Sequence, residues 1–470
     1  MQSQESAIAA NRFGLGARPS DARQIGTDAP GWLKAQLDAA VAIKHNVGRP
    51  PGSAVTLKQA TELRLARQQL QRRQAASDVP LEIDPDMLRE YAQFIARRYR
   101  DEVGRRSTQA ITTDQPFVER LLHFWANHFA ISVDKQPLAA LPVQYEDEAI
   151  RPHLTGNFRD LLMAVEKHPA MLLYLDNQAS LGPNSTAARA ARRRRGRELG
   201  LNENLAREIL ELHTLGVHGG YDQHDVTELA KVITGWSIGG DQGRLRGGGA
   251  PGEFHFRPLM HEPGAKTVLG RRYTESGLEE GEQVLSDLAA HPSTARHLAT
   301  KLARHFVADE PPPRLVERLA AIYLDNDAEL LPVYEALIDA EESWQAPLAK
   351  YKTPQDFVIS TYRALEHTPD NPQQLIGIMT QLGQRPLAPG SPAGWPDTAA
   401  HWDGGDALLK RIEWATIIGQ AAGKQIDPRA LAGALLGPIA SAASLASIRR
   451  AESGAQGLTL LLAAPEFQRR

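Results

Sequence analysis

The sequence contains no cysteine, which excludes disulfide bridges and thiolate metal sites and is compatible with export. It has no run of about 18 apolar residues that could span a bilayer. Neither sign of charge dominates: the formal net charge is −3, so no general affinity for nucleic acid or a membrane surface is expected. The first residues, MQSQESAIAANRFG, lack a positively charged segment followed by an apolar one, so no signal peptide is read there. Serine-nucleophile, P-loop and dinucleotide-binding motifs are absent, which argues against acyl transfer, NTP hydrolysis and hydride transfer.

What the chain does have is the make-up of a globular protein. It is 470 residues long, 42% hydrophobic and 23% charged, enough to bury a large core. Helical periodicity predicts a short helix over residues 7–18 that runs into the turn Gly14-Leu15-Gly16. A helical hairpin is predicted over 55–75 and 87–106, and a helix pair over 157–176. Further helices follow at 281–290, 293–308, 313–325, 329–339, 353–365 and 372–382. Breaks are read at 49–52, at 77–85 and in the glycine-rich stretch 239–252. Phe254 and Phe256 alternate with His255 and Arg257 as a strand does; with a second strand in HEPGAKTVLGRRY they predict a small β-hairpin over 253–273. His255, His261 and Glu262 there can cover the helical site or be plain loop residues. Residues 388–402 form a loop around Trp395, which with Trp402 offers ring surfaces for stacking or for core packing. Residues 341–347 and 463–470 look alike, without establishing a repeat. No domain boundary is sharp, so one unit spanning 1–470 is expected.

Titratable groups are densest in LNENLAREILELHTLGVHGGYDQHDVTELAKVITGWS, residues 201–237. At about 100° per residue, Glu203, Asn204, Arg207, Glu208 and Glu211 fall within a sector of roughly 140° on one helix face. Leu205, Ala206, Ile209 and Leu212 take the other side, and His213 points from that apolar side. Gly219-Gly220 is predicted to end the helix. Asp222 or Asp225 then caps the next one, with Glu228 three residues past Asp225 as in a capping box.

Three chemistries and one purely binding role suit these groups. Glycoside hydrolysis needs two carboxyl groups roughly 5 to 9 Å apart, one protonated and one ionised. Glu203, Glu208 and Glu211 can supply such a pair, with Arg207 holding one ionised and crowding raising the other. Polysaccharide β-elimination needs a group that neutralises a uronate carboxylate and a base for the adjacent proton. Asn127, His128, Arg207, His213 and Tyr221 are of those types. A metal site would draw on His123, His128, Glu208, Glu211 and His218, but there is no HExxH, and no histidine lies three residues after Glu208 or Glu211. A scaffold that binds a glycan or a protein partner would use the same groups without chemistry. Glu203, Arg207 and Glu211, four apart in succession, also suit an ordinary surface salt-bridge ladder, for which Asn202, Asn204 and His213 are unnecessary.

Two other stretches carry polar groups. In FVERLLHFWANHFAIS, residues 117–132, His123 and Asn127 are four apart, as are Phe124 and His128. This reads as a buried helix with satisfied histidines or as one wall of a cleft. LGPNSTAARAARRRRGRELG reads as a linker whose Arg189, Arg192, Arg193, Arg194, Arg195 and Arg197 form a solvated run or guide a polyanion to the site.

The motif NENLAREILELHTLGVHGGYDQHDVTELAKVITGW resembles the core of the bacterial domain-of-unknown-function family 1800. NRFGLGARPS at Asn11, RLLHFWANHFAIS at Arg120, HEPGAKTVLG at His261 and APEFQRR at residues 464–470 match in the expected order, so the resemblance covers nearly the whole chain. It implies a predominantly helical, usually exported protein, with its signal peptide removed and Met1 added for expression. It also implies a partner protein with a sulfatase-like fold, and it supplies no established reaction. The expectation is therefore a mainly α, single compact unit with a small β-hairpin, secreted or periplasmic, that acts on a polysaccharide or oligosaccharide without a cofactor or metal. A glycoside hydrolase is favoured, with Glu208 and Glu211 as the pair and Glu203 beside them. Arg207 tunes the pair and His213 orients it from behind; His123, Asn127, His128, Asn204 and Tyr221 contact substrate. A polysaccharide lyase acting on an anionic glycan, and a binding scaffold, are the alternatives.

Overall fold

Proline sets many of the helix starts. It occupies the first helical position of Pro116–His128, Pro292–Phe306, Pro313–Asp325, Pro354–Ala364, Pro372–Gln381 and Pro428–Leu435. The N–H it lacks would have no partner within the helix there. Side chains complete several of these starts: Thr353 accepts from the Asp356 N–H, Asn371 from Gln373 and Asp427 from Arg429. The resulting fold, a computed structural model that describes residues 3–42, 52–75, 85–195, 200–240 and 248–470, is mainly helical with two small antiparallel sheets. The breaks read at 49–51 and 77–84, Arg197, and residues 241–247 of the glycine-rich stretch lie outside the described residues.

The predicted hairpin appears as Ser53–Ala75 against Pro85–Thr112. Its second helix continues past residue 106, and Gly104 within it lets Pro372 pack close: an added Cβ would meet the proline Cγ at 2.5 Å. The arginine-rich segment is not a linker throughout, because Thr186–Arg195 within it is helical. The predicted β-hairpin resolves differently. Phe254–Phe256 pairs with Trp236–Ile238, in the register Trp236 to Phe256 and Ile238 to Phe254. Lys266–Val268 pairs instead with Arg271–Tyr273. The pairing follows burial: Trp236 and Ile238 are fully buried, and the Trp236 ring meets Phe254 edge-on at 5.9 Å. Leu269 and Gly270 both have positive φ (50° and 73°), as a two-residue turn needs to match the strand twist.

One hydrophobic cluster joins buried residues from Ala9 to Phe467. The Pro116–His128 helix runs through it and is buried on nearly every face; only Ala126 and Asn127 are partly open. Its polar side chains therefore each need a partner. Glu119 accepts from Arg151 and Gln109, Trp125 Nε1 donates to the Tyr334 hydroxyl at 2.7 Å, and Arg120 donates to the Gly14 carbonyl and to Asp356. Asn127 is the polar residue this helix opens outward.

Candidate functional site

The acidic motif folds as a helical hairpin. Asn204–Glu208 is α-helical, Ile209–His213 is a π turn, and Gln223–Val232 follows with the reciprocal capping box of Asp222 and Asp225. The first helix ends at His213, not at Gly219-Gly220. Its last carbonyls are taken by side chains, which leaves nothing for a further turn to bond. His297 Nε2 donates to the Leu212 carbonyl at 3.1 Å, His128 Nε2 to the His213 carbonyl at 3.1 Å, and the Thr214 hydroxyl to the Ile209 carbonyl at 2.6 Å. Gly216, at φ 84°, admits His297 this closely; a Cβ would meet its Nδ1 at 2.8 Å.

The polar face divides between structure and potential chemistry. Glu203 accepts from Thr227 at 2.8 Å and Gln223 at 2.9 Å, and Arg207 donates to Gln223 at 2.8 Å, so both residues tie the two helices together. Asn204 is exposed, and its N–H donates to the Asn202 side chain. Glu211 accepts from the Tyr221 hydroxyl at 3.2 Å. Glu208 is half-buried; burial raises its carboxyl above the usual range, His213 opposes this and Glu211 adds to it. His213 is fully buried, and its Nδ1 lies 2.7 Å from Glu166. Among the described residues, no three His, Asp or Glu side chains converge as metal ligands do.

His123 and Asn127 line a different space. It lies between the Pro116–His128 helix, the ends of Pro292–Phe306 and Pro354–Ala364, and the loop before Trp402, with Arg106, Glu146, His305 and Asp397 in its walls. His305 Nδ1 lies 2.7 Å from Asp397 Oδ2. Asp397 is also held by Arg470 at 3.2 Å and Lys350 at 3.5 Å. Burial alone would raise the Asp397 carboxyl, but His305, Arg470 and Lys350 outweigh it and hold it well below the usual range. It is therefore ionised, and the neutral His305 donates Nδ1–H to it. Burial pulls His305 down to about 4, against the pull of Asp397. Its Nε2 is buried and has no hydrogen-bond partner, while the side chain as a whole keeps 13% exposure where it lines the cleft. Asp356, below it, bridges Arg120 and Arg470 and is likewise held ionised against its burial.

The other cleft residues are placed by hydrogen bonds. His123 Nδ1 faces Gln355 at 3.3 Å, and burial, then Arg106, pushes its proton affinity well down. Asn127 clasps the backbone of Trp395, donating to its carbonyl at 2.9 Å and accepting from its N–H at 2.7 Å. Gly394 lies so close to Asn127 that no Cβ fits. Asn127 thus positions the tryptophan. Asn127→Ala should speed amide exchange over residues 393–397 by about tenfold or more, the effect of losing one or two buried hydrogen bonds. Exchange mass spectrometry would show it, with the 116–128 helix unchanged; equal protection in both proteins would refute the clasp.

The structure therefore separates the residues singled out in the sequence. Glu203, Asn204, Arg207, Glu208, Glu211 and Tyr221 share the helical hairpin, His123 and Asn127 share the cleft, and His128 and His213 lie buried between. His261 and Glu262 do not roof the acidic face: His261 Nδ1 meets the Thr234 carbonyl and Glu262 accepts from Asn184. His305, Asp397 and Asp356 were not singled out. A signal existed for the first, since His297, Lys301 and His305 recur every fourth residue along one helix.

The profile of a family described as "Protein of unknown function (DUF1800)" matches residues 8–469. No curated protein and no solved structure matches the chain.

Proposed function

The chain belongs to the DUF1800 family, and from that premise we propose that it is a carbohydrate-active enzyme that cleaves a polysaccharide in the cleft, with His305 as general base. The observation that carries this reading is the Asp397–His305 pair, 2.7 Å apart, on a ring that lines the cleft and whose buried Nε2 has no hydrogen-bond partner. The ionised Asp397 fixes the tautomer and supports the imidazolium that forms when Nε2 takes a proton. Trp395 adds a flat apolar wall of the kind that receives a sugar ring. In β-elimination His305 removes the proton next to a uronate carboxylate, the freed electron pair becomes a carbon–carbon double bond, and the glycosidic oxygen leaves with a proton from water as the imidazolium returns its own to solvent.

A second reading keeps hydrolysis at the acidic hairpin. It is favoured by Glu208, whose raised carboxyl suits a general acid three residues from Glu211. Incubation with neutral and acidic bacterial glycans separates the two. Elimination yields reducing ends together with the ultraviolet absorbance of unsaturated uronates; hydrolysis yields reducing ends alone. The cleft reading expects both signals, abolished by His305→Ala and retained by Glu208→Gln. Reducing ends alone, lost in Glu208→Gln and kept in His305→Ala, would overturn it.

A further inference from the structure

Next to His305, the same helix presents Lys301 to a neighbouring cavity walled by His128, Arg304, Trp395 and His401. The buried lysines elsewhere are each bound: Lys266 to Glu280, Lys350 to Asp309 and Lys352 to Ser360. Lys301 is half-buried and makes no hydrogen bond or ion pair among the described residues. Burial pulls its ammonium down to about 8, Asp397 resisting and Arg304 adding to the fall. A cation sheltered from water without an ion-pair contact is costly, and a bound anion offsets that cost.

A second group in the wall is a hydrogen-bond acceptor. His128 is 1% exposed, and its Nε2 donates to the His213 carbonyl. Burial, then Lys301, His297 and His213, keep it neutral. Its Nδ1 is therefore a lone pair, and it has no partner. The cavity thus combines an unpaired ammonium, the Trp395 ring and a wall histidine whose buried Nδ1 acceptor is unsatisfied. A carboxylate that neighbours a hydroxyl on a ring with an apolar C–H face matches all three.

We infer that this cavity is a subsite for an acidic sugar, with Lys301 pairing with the carboxylate of a hexuronate and His128 accepting from one of its hydroxyls. The inference rests on the glycan-cleaving reading for its place along a chain, and it names the substrate class of that reading as uronate-containing.

The test is calorimetric titration of the full chain with glucuronate, glucose and inorganic phosphate. Glucuronate should bind at least about tenfold more tightly than glucose or phosphate, and Lys301→Ala should lose about tenfold or more, as expected for a charge-assisted bond. Affinity should also fall between about pH 7 and pH 10 as Lys301 deprotonates. The titratable groups facing it from neighbouring elements are Asp397, Arg304, His128, His297, His305 and His401. His128, His297 and His305 are already neutral across this window and Asp397 stays ionised, so the loss reports the lysine. Unchanged binding by Lys301→Ala, or equal affinity for glucose, would overturn the subsite. Phosphate binding as tightly as glucuronate would reduce it to a general anion site and overturn the sugar assignment. His305→Ala should bind glucuronate within about twofold of the parent. If it binds so and still cleaves, the base role fails while the subsite stands.

Discussion

Asp356→Asn should unfold at markedly lower urea concentration than the parent, with a loss of about 3–5 kcal/mol, the usual cost of breaking a buried ion pair from one side. The carboxylate sits between Arg120 at 3.3 Å and Arg470 at 3.0 Å, and both guanidinium groups are almost wholly buried. Asparagine keeps the shape and removes the charge, so two buried cations face a neutral amide. The parent pays the desolvation of three ions and recovers it through mutual attraction; the variant keeps most of the cost. A loss below about 1 kcal/mol would show that the arginines find other partners.

The same cluster sets the response to acid. Asp356 and Asp397 are held below their ordinary range by Arg120, Arg470, His305 and Lys350, despite their burial. A carboxyl depressed in the folded state contributes stability above its unfolded value, near pH 4, and loses it as pH falls toward the folded value. The histidines act earlier. His297 and His305 are pulled down to about 4 by burial, and His123 and His128 also lie well below the ordinary value. The unfolded chain binds more protons at these groups between about pH 6.5 and pH 4, so folding stability declines through that window. Urea titrations over this range should show a continuous loss beginning near pH 6.5. A flat response down to about pH 5 would contradict neutral buried imidazoles.

The second large effect is on turnover. His305→Ala should lower kcat by about 10²- to 10⁴-fold with folding intact, the usual contribution of a positioned base. The parent's pH profile should be bell-shaped. Its acid limb lies near 4, where His305 protonates, and its alkaline limb near 8, where Lys301 loses its charge. Lys301→Ala should remove the alkaline limb and leave the acid limb in place. An acid limb near 6.5 would mean that an ordinary, solvated histidine is the base.

Much of the helical framework is legible in the sequence, because proline at the first helical position and a 3.6-residue apolar period are local signals. The ranges read from residue 281 onward match the helices closely, Pro313–Asp325 among them. Non-local partners were not legible. The end of the acidic helix at His213 has no local signal, because the imidazoles that take its last carbonyls lie 85 residues away on either side. Local order pairs Phe254–Phe256 forward along the chain, whereas its partner Trp236–Ile238 follows a helix after three intervening residues and reads as that helix's end. The cleft draws Asn127, His305, Asp356 and Asp397 from four distant segments. Each alone looks like a cap, a loop residue or a buried polar group. Only their convergence makes a site.

The buried arginines and their neighbours bear on how the chain reaches this fold. Asn11 donates to the Leu435 carbonyl, Arg12 to Ser343 and Gln345, and Arg363 to Gly16, Ala110 and Ile111. Residues 7–17 are thus embedded among segments that a ribosome produces more than 300 residues later. Such long-range closure slows folding and leaves apolar surface uncovered during synthesis. The Ala9–Phe13 segment, fully buried at the end, must wait in the open for most of the chain. A holding chaperone at that segment would raise the yield of native protein, and refolding from urea should be slow and dependent on protein concentration.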